Sequence, residues 1–230
     1  GVGGMELFAA ESPGPSSAKI HAKITDTAKR LWLIYVLITG VEVVLLKYAG
    51  MTWLDALNHS FTTISTGGFS TKNASISAFE NPLIEYIITG FMLIGGINFS
   101  IIYFLCKFSF RKALENEEFR VYLGIVISFV ILITTTLYLT MDEQVEKSFR
   151  HAFFQVTSIV TTTGFSTSNY ATWTPFAYML IVFLMFVGGS AGSTAGGVKV
   201  ARHLIIFKNA YIEFKRLLHP RGVIRVRMNN

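Results

Sequence analysis

Two stretches of this chain, "STGGFSTKNAS" at 65–75 and "TTTGFSTSNYA" at 161–171, are near copies of each other, and each lies between long apolar runs. Small, polar, non-helical segments of this kind restrict the fold severely. Irregular backbone at membrane depth survives only where protein buries it or water surrounds it. The flanking runs approach or exceed ~18 largely apolar residues, the length that argues for membrane helices. The chain is 51% hydrophobic and 15% charged, where a soluble domain carries about 25% charged residues. The class is an all-α integral membrane protein.

The net charge of +6 invites a nucleic-acid reading, but its distribution argues against one. Lys19, Lys23, Lys29 and Arg30 precede the first apolar run. Lys107, Arg111, Lys112 and Arg120 flank a middle linker, and a basic stretch runs through 199–227. The segments holding the two repeats carry only Lys72, Lys147 and Arg150. This is the positive-inside asymmetry: both ends and the linker are expected in the cytoplasm, and the Ser/Thr/Gly segments toward the outside. The basic stretch suits anionic lipid headgroups. The opening residues lack the n-region and h-region of a signal peptide, and Val2, Met5, Leu7 and Phe8 would suit the tail of a membrane helix. The expectation is therefore a piece of something longer.

The two units superpose at an offset of roughly 96 residues, with Gly68 on Gly164 and Phe69 on Phe165. Self-similarity at a fixed offset is the signature of a repeated structural unit. Each unit reads as span, short helix, Ser/Thr/Gly loop, span. We divide the chain into 1–27, the end of a preceding unit and a linker; 28–108, a first pore repeat with a short helix at 52–64 and a loop at 65–73; 109–119, a charged and solvated linker; 120–218, a second pore repeat with a short helix at 142–160 and a loop at 161–169; and 219–230, a basic tail. Thr52 with Asp55 resembles a capping box, and Asp142 is the expected cap of the second short helix. The runs at 28–48 and 83–108 are each long enough to cross a bilayer at ~1.5 Å per residue.

A short helix that re-enters the membrane points its C-terminal end, worth about half a negative charge, at the loop that follows. Loop carbonyls without a helix or sheet partner can then face a central axis and coordinate a cation, as carbonyl rings do for potassium in channel filters. The expected ligands are the backbone oxygens of Ser65, Thr66, Gly67 and Gly68 and of Thr161, Thr162, Thr163 and Gly164. Neither loop contains a carboxylate, which disfavours a divalent-cation ring. The bland alternative is a pair of ordinary external loops.

"FVGGSAGSTAGGVKV" places Gly188, Gly189, Gly192, Gly196 and Gly197 close together. Each interior glycine costs about 1 kcal/mol relative to alanine in a helix, so a regular helix is implausible there. A break lined by Ser190, Ser193 and Thr194 would give a flexible constriction. The alternative is close helix packing through Gly188, Gly192 and Gly196, a tandem small-xxx-small face. The segment lacks phosphate-loop spacing. Glu42 and Glu85 fall in or near spans, where an ionised carboxylate costs roughly 2.5–3.5 kcal/mol on insertion scales. Trp32, Trp53 and Trp173 read as interfacial anchors. No nucleophile, base and orienting group assemble into a catalytic constellation, so an enzyme is not expected.

"ALNHSFTTISTGGFSTKNASI", "AFFQVTSIVTTTGFSTS" and above all "GGSAGSTAGGVKVARHLIIFK" resemble the membrane subunit of Trk-type bacterial potassium uptake systems, in the superfamily that includes Ktr and plant high-affinity potassium transporters. "ESPGP" and "FKRLLHP" resemble the same family. The resemblance implies four span–pore helix–filter loop–span repeats around one path, of which this chain matches the second and third plus the tail of the first. It implies potassium as the only ion bound, with no organic cofactor, and an intramembrane gating loop at 188–197. It also implies a homodimer, a cytoplasmic nucleotide-binding regulatory subunit, and residence in the bacterial cytoplasmic membrane. Completion of the pore would require the first and fourth repeats. A non-conducting scaffold module derived from such a transporter is the competing reading.

Overall fold

The computed structural model describes residues 24–141 and 144–218. Among them every regular element is helical: α1 (Ile24–Tyr48), α2 (Trp53–Ile64), α3 (Pro82–Gly95), α4 (Phe99–Cys106), α5 (Phe110–Glu115), α6 (Glu117–Thr140), α7 (Val145–Val160), α8 (Pro175–Leu184) and α9 (Val200–Leu218), with single 3₁₀ turns at Ser75–Phe79 and Tyr170–Thr172. Residues 1–23 of the expected segment 1–27, the expected tail 219–230 and the expected cap Asp142 lie outside the described residues. The described part of the second short helix begins at Val145, with Gln144 in the cap position.

α1 and α6 are long and apolar enough to cross a membrane. Their outward faces carry exposed apolar side chains, including Trp32, Leu33, Val36, Ile127, Ile131 and Leu139. Polar groups do the reverse: Asp55, His59, Ser60, Thr63, Gln155, Thr157 and Ser158 on the two short helices are buried. Apolar outside and polar inside is what lipid selects when the interior lines a polar path.

The short helices sit at the centre of each unit. α2 packs on α1 and α3, and α7 packs on α6 and α8; α3 also packs on α7 and so joins the two units. Phe165 of the second loop is buried in the core of the first unit with Met51, Ala56, Ile76, Ile88 and Met92. At the seam between the units Arg150 of α7 donates to Glu85 of α3 (2.7 Å) and to Glu146 (2.9 Å). Glu85 is thus an inter-unit ion-pair partner.

Three expectations are corrected. The 83–108 run is not one straight helix: α3 and α4 meet at 113°. Gly95 and Gly96 weaken the helix, and Asn98 restarts it by accepting from the Ser100 amide (2.8 Å). The linker 109–119 is not simply solvated, because α5 forms there and Ala113, Glu118 and Phe119 are buried. Trp173 is packed in the core of the second unit instead of anchoring at an interface, whereas Trp32 and Trp53 are exposed.

Candidate functional site

The C-terminal ends of α2 and α7 carry the two Ser/Thr/Gly loops, and the two loops have the same backbone. Ser65 and Thr161 are the last right-handed residues (φ −77° and −82°). Thr66 and Thr162 are left-handed (53° and 55°), and so are Gly68 and Gly164 (66° and 86°). The amides of Gly67 and Gly68 both donate to the Thr62 carbonyl (2.8 and 3.2 Å), and those of Thr163 and Gly164 to the Ser158 carbonyl (2.9 and 3.3 Å). The hydroxyls of Thr62 and Ser158 then donate to the carbonyls of Phe69 and Phe165 (2.8 and 2.7 Å). Loop amides are therefore turned back into the helix ends. Among the loop carbonyls, that of Ser65 accepts from the Thr66 hydroxyl (2.7 Å).

The loops meet each other. A Cβ added at Gly68 would lie 1.8 Å from the Thr163 carbonyl oxygen. Glycine is therefore required at 68 twice over, by its left-handed φ and by this approach. Around the contact the 3₁₀ turn of the first unit is tied to the second loop, with the Ile76 amide donating to the Ser166 carbonyl (3.2 Å) and the Ser166 amide to Ser75 Oγ (3.2 Å).

Behind the first loop the polar interior of α2 is ordered. Thr71 Oγ1 and Thr52 Oγ1 both donate to the Asp55 carboxylate (2.5 and 2.8 Å). These hydroxyls, Thr71 first, hold Asp55 below its ordinary carboxylate range. His59 Nδ1 lies 2.7 Å from the Asp55 carbonyl and Nε2 lies 2.9 Å from Ser70 Oγ. A carbonyl only accepts, so Nδ1 carries the hydrogen and Nε2 accepts from Ser70. Burial pushes the His59 pKa down from 6.5. Below that value the unfolded chain binds a proton that the folded one refuses, so stability rises with pH. We expect thermal stability to fall as pH drops from about 6.5 toward 5, and His59→Gln to flatten that slope. A slope unchanged in His59→Gln would remove His59 as its source.

The Gly-rich segment 188–197 is not helical, so the tandem small-xxx-small helix face does not form. Nor is the segment loosely held. Its chain folds back, with the Gly188 amide donating to the Val198 carbonyl (2.9 Å) and the Val200 amide to the Gly189 carbonyl (3.1 Å). A Cβ at Gly188 would lie 2.4 Å from the Gly196 oxygen. The α3–α4 break grips it: the Ser190 amide donates to Gly96 (2.9 Å), the Phe99 amide to Gly192 (3.1 Å), and Asn98 Nδ2 to Ala191 (2.6 Å). From the linker, buried Glu118 accepts from the Ala191 amide (2.6 Å). Toward the loops, Thr194 Oγ1 donates to the carbonyls of Ile64 (2.7 Å) and Gly95 (3.0 Å).

The eight loop residues stand at the ends of α2 and α7; of the eight segment residues, Thr194, Gly196 and Gly197 lie against those ends, while Gly189, Ser190 and Gly192 lie against the α3–α4 break. Sequence reasoning missed Glu118 and Asn98. Glu118 stands among "NEEFR", where nothing distinguishes it from a solvated first-turn acid. Glu118→Ala leaves the Ala191 amide without its acceptor and is expected to destabilise the protein by about 1–3 kcal/mol. Glu118→Gln, whose amide oxygen still accepts, should cost less. Thermal unfolding in detergent measures both, and equal losses would deny the hydrogen bond its role.

Comparison with known proteins gives a consistent result. The TrkH family model, described as a cation transport protein, matches residues 1–230. The chain is 42% identical over 233 residues to the Trk system potassium uptake protein TrkH of Salmonella typhimurium, covering 100% of this chain and 48% of that protein. It is 34% identical over 228 residues to the Trk system potassium uptake protein TrkG of Escherichia coli, covering 98% and 47%. The crystal structure of the potassium transporter TrkH from Vibrio parahaemolyticus superposes with a TM-score of 0.87 at 36% identity, over 97% of this chain and 49% of that one. The chain spans about half the length of the relatives it matches.

Proposed function

This chain belongs to the TrkH family of cation transport proteins, and from that membership we infer that it supplies two of the walls of a potassium-uptake pore. Main-chain oxygens at 65–68 and 161–164 form two sides of the selectivity filter, and the segment 188–197 is the gate that closes against it. Potassium is the cargo and no organic cofactor takes part.

The observation that carries this reading is the pair of matching loops, whose amides are bonded inward and whose backbones touch at Gly68 and Thr163. Two further features favour additional walls. Gly164 has the conformation of Gly68, yet nothing lies within 4 Å of its Cβ position, which leaves room for a further loop. Phe165 is buried in the first unit while its counterpart Phe69 is 76% exposed, as suits a residue that a preceding unit would cover. The missing repeats of the complete transporter fill these places. Both ends of the chain lie in the cytoplasm and the pore loops open outward across the bacterial cytoplasmic membrane. The basic cytoplasmic side meets anionic lipid and a nucleotide-binding regulatory subunit, and the complete protein is a homodimer.

The test is uptake of potassium and sodium by the complete transporter in cells lacking other potassium uptake. Substitutions within 65–68 and 161–164 should change the ratio of the two ions. Substitutions on the lipid face of α1, such as Leu33→Ala, should leave it alone. Equal ratios in both sets would refute the filter assignment.

A further inference from the structure

Among the described residues four helices end in one hydrogen-bond motif, in which the amide of the left-handed residue and the next amide bond back to the last turn; at the end of α4 the left-handed residue is exposed Phe108 (φ 54°), with its amide donating to Leu105 (2.9 Å) and the Ser109 amide to Phe104 (3.0 Å). At the end of α1 the Gly50 amide donates to Lys47 (3.2 Å) and the Met51 amide to Leu46 (3.1 Å), with glycine at the left-handed position (φ 106°). At α2 the Thr66 amide donates to Thr63 (3.0 Å) and the Gly67 amide to Thr62 (2.8 Å); at α7 the Thr162 amide donates to Ile159 (3.0 Å) and the Thr163 amide to Ser158 (2.9 Å). Both pore helices place threonine where α1 places glycine. A β-branched residue at positive φ is an outlier, and such strain persists only where the surroundings over-determine it.

The hydroxyls account for the threonines. Thr66 Oγ1 shares its one hydrogen between the carbonyls of Thr194 (2.9 Å) and Ser65 (2.7 Å), and Thr162 Oγ1 accepts from the Gly196 amide (2.6 Å). Thr194 Oγ1 returns the contact by satisfying the Ile64 carbonyl, one of the last-turn oxygens that a helix cannot satisfy itself. Each bond joins a pore loop to the Gly-rich segment, and glycine at 66 or 162 could make neither of theirs.

We propose that Thr66, Thr162 and Thr194 are positioning residues that hold the pore-loop backbone in register from the Gly-rich segment, so that ion discrimination depends on where that segment sits. The proposal rests on the reading of 65–68 and 161–164 as a filter. When the segment moves, the two threonines lose the partners that offset their strained φ, and the loop carbonyls are free to turn. The coupling is reciprocal: an ion that orders the loops also favours the docked segment.

The test compares the complete transporter with Thr66→Gly/Thr162→Gly in proteoliposomes. Glycine keeps the left-handed backbone and relieves its strain, so folding is preserved while the tethers go. We expect the potassium-to-sodium flux ratio to fall about tenfold, equivalent to about 1.4 kcal/mol. Thr194→Val should lower it in the same direction and Thr194→Ser should restore it. Parental ratios in the double variant, or the same ratio in Thr194→Val and Thr194→Ser, would overturn the proposal. Gly68→Asp separates the two levels. Selectivity lost there but kept in the threonine variants defeats only the tethers. Selectivity kept in Gly68→Asp as well defeats the filter reading beneath them.

Discussion

Gly68→Asp is expected to abolish the preference for potassium over sodium in the complete transporter. The added Cβ would stand 1.8 Å from the Thr163 carbonyl oxygen, a distance no rotamer can relieve because the clash begins at the first side-chain atom. The backbone must therefore move, and its left-handed φ of 66° makes any non-glycine residue unfavourable there. Displacing Thr163 turns a carbonyl of the opposite loop, so one substitution damages two walls. On the proposed filter reading the carboxylate also adds a charge where neutral carbonyl dipoles would stand in for an ion's water shell. A loss of at least about 100-fold in the selectivity ratio, about 2.7 kcal/mol, is the expected scale. A folded Gly68→Asp protein with parental selectivity would count directly against the loops as ligands.

The second large effect is on stability. Arg150→Met is expected to destabilise the protein by about 3–5 kcal/mol. The Arg150 and Glu85 side chains are only 12% and 7% exposed, with the guanidinium 2.7 Å from the carboxylate. Removing the arginine strands a buried carboxylate at the seam between α3 and α7. On the scaling for chains of this size the melting temperature should fall by on the order of 10 °C. Glu85→Gln/Arg150→Met should recover much of that loss, because it removes the stranded charge together with its partner. A double variant no more stable than Arg150→Met would show that packing of the arginine, not charge pairing, holds the seam.

What the sequence made legible was whatever repeats or stays local. The duplicated loops, the apolar runs and the glycine cluster all announce themselves within windows of a few tens of residues, and the structure brings those loops and that cluster together. The connections that order them were not legible. Thr66 and Thr194 are 128 residues apart, Thr194 and Ile64 are 130, and Glu118 and Ala191 are 73. A hydroxyl that caps a distant carbonyl has the same letter as one that faces water. The bend at Gly96 was hidden for a related reason. Gly95 and Gly96 sit in a run apolar enough to span, and the partners that exploit the break, Ser190 and Tyr122, come from elsewhere: a Cβ at Gly96 would lie 2.4 Å from the Tyr122 hydroxyl. Glu42 illustrates the remaining gap. Its carboxylate is fully buried on α1 beside the buried Thr63 side chain of α2, a neighbour 21 residues away that the apolar run does not reveal.

The central claim is that main-chain oxygens of the two loops coordinate the permeating ion. Crystals of the complete transporter grown in rubidium, an electron-dense substitute for potassium, test it by anomalous diffraction. The account predicts rubidium peaks on a common axis, bounded by the carbonyls of 65–68 and 161–164. Rubidium ordered elsewhere in the membrane region, with those carbonyls facing away from every peak, would contradict it.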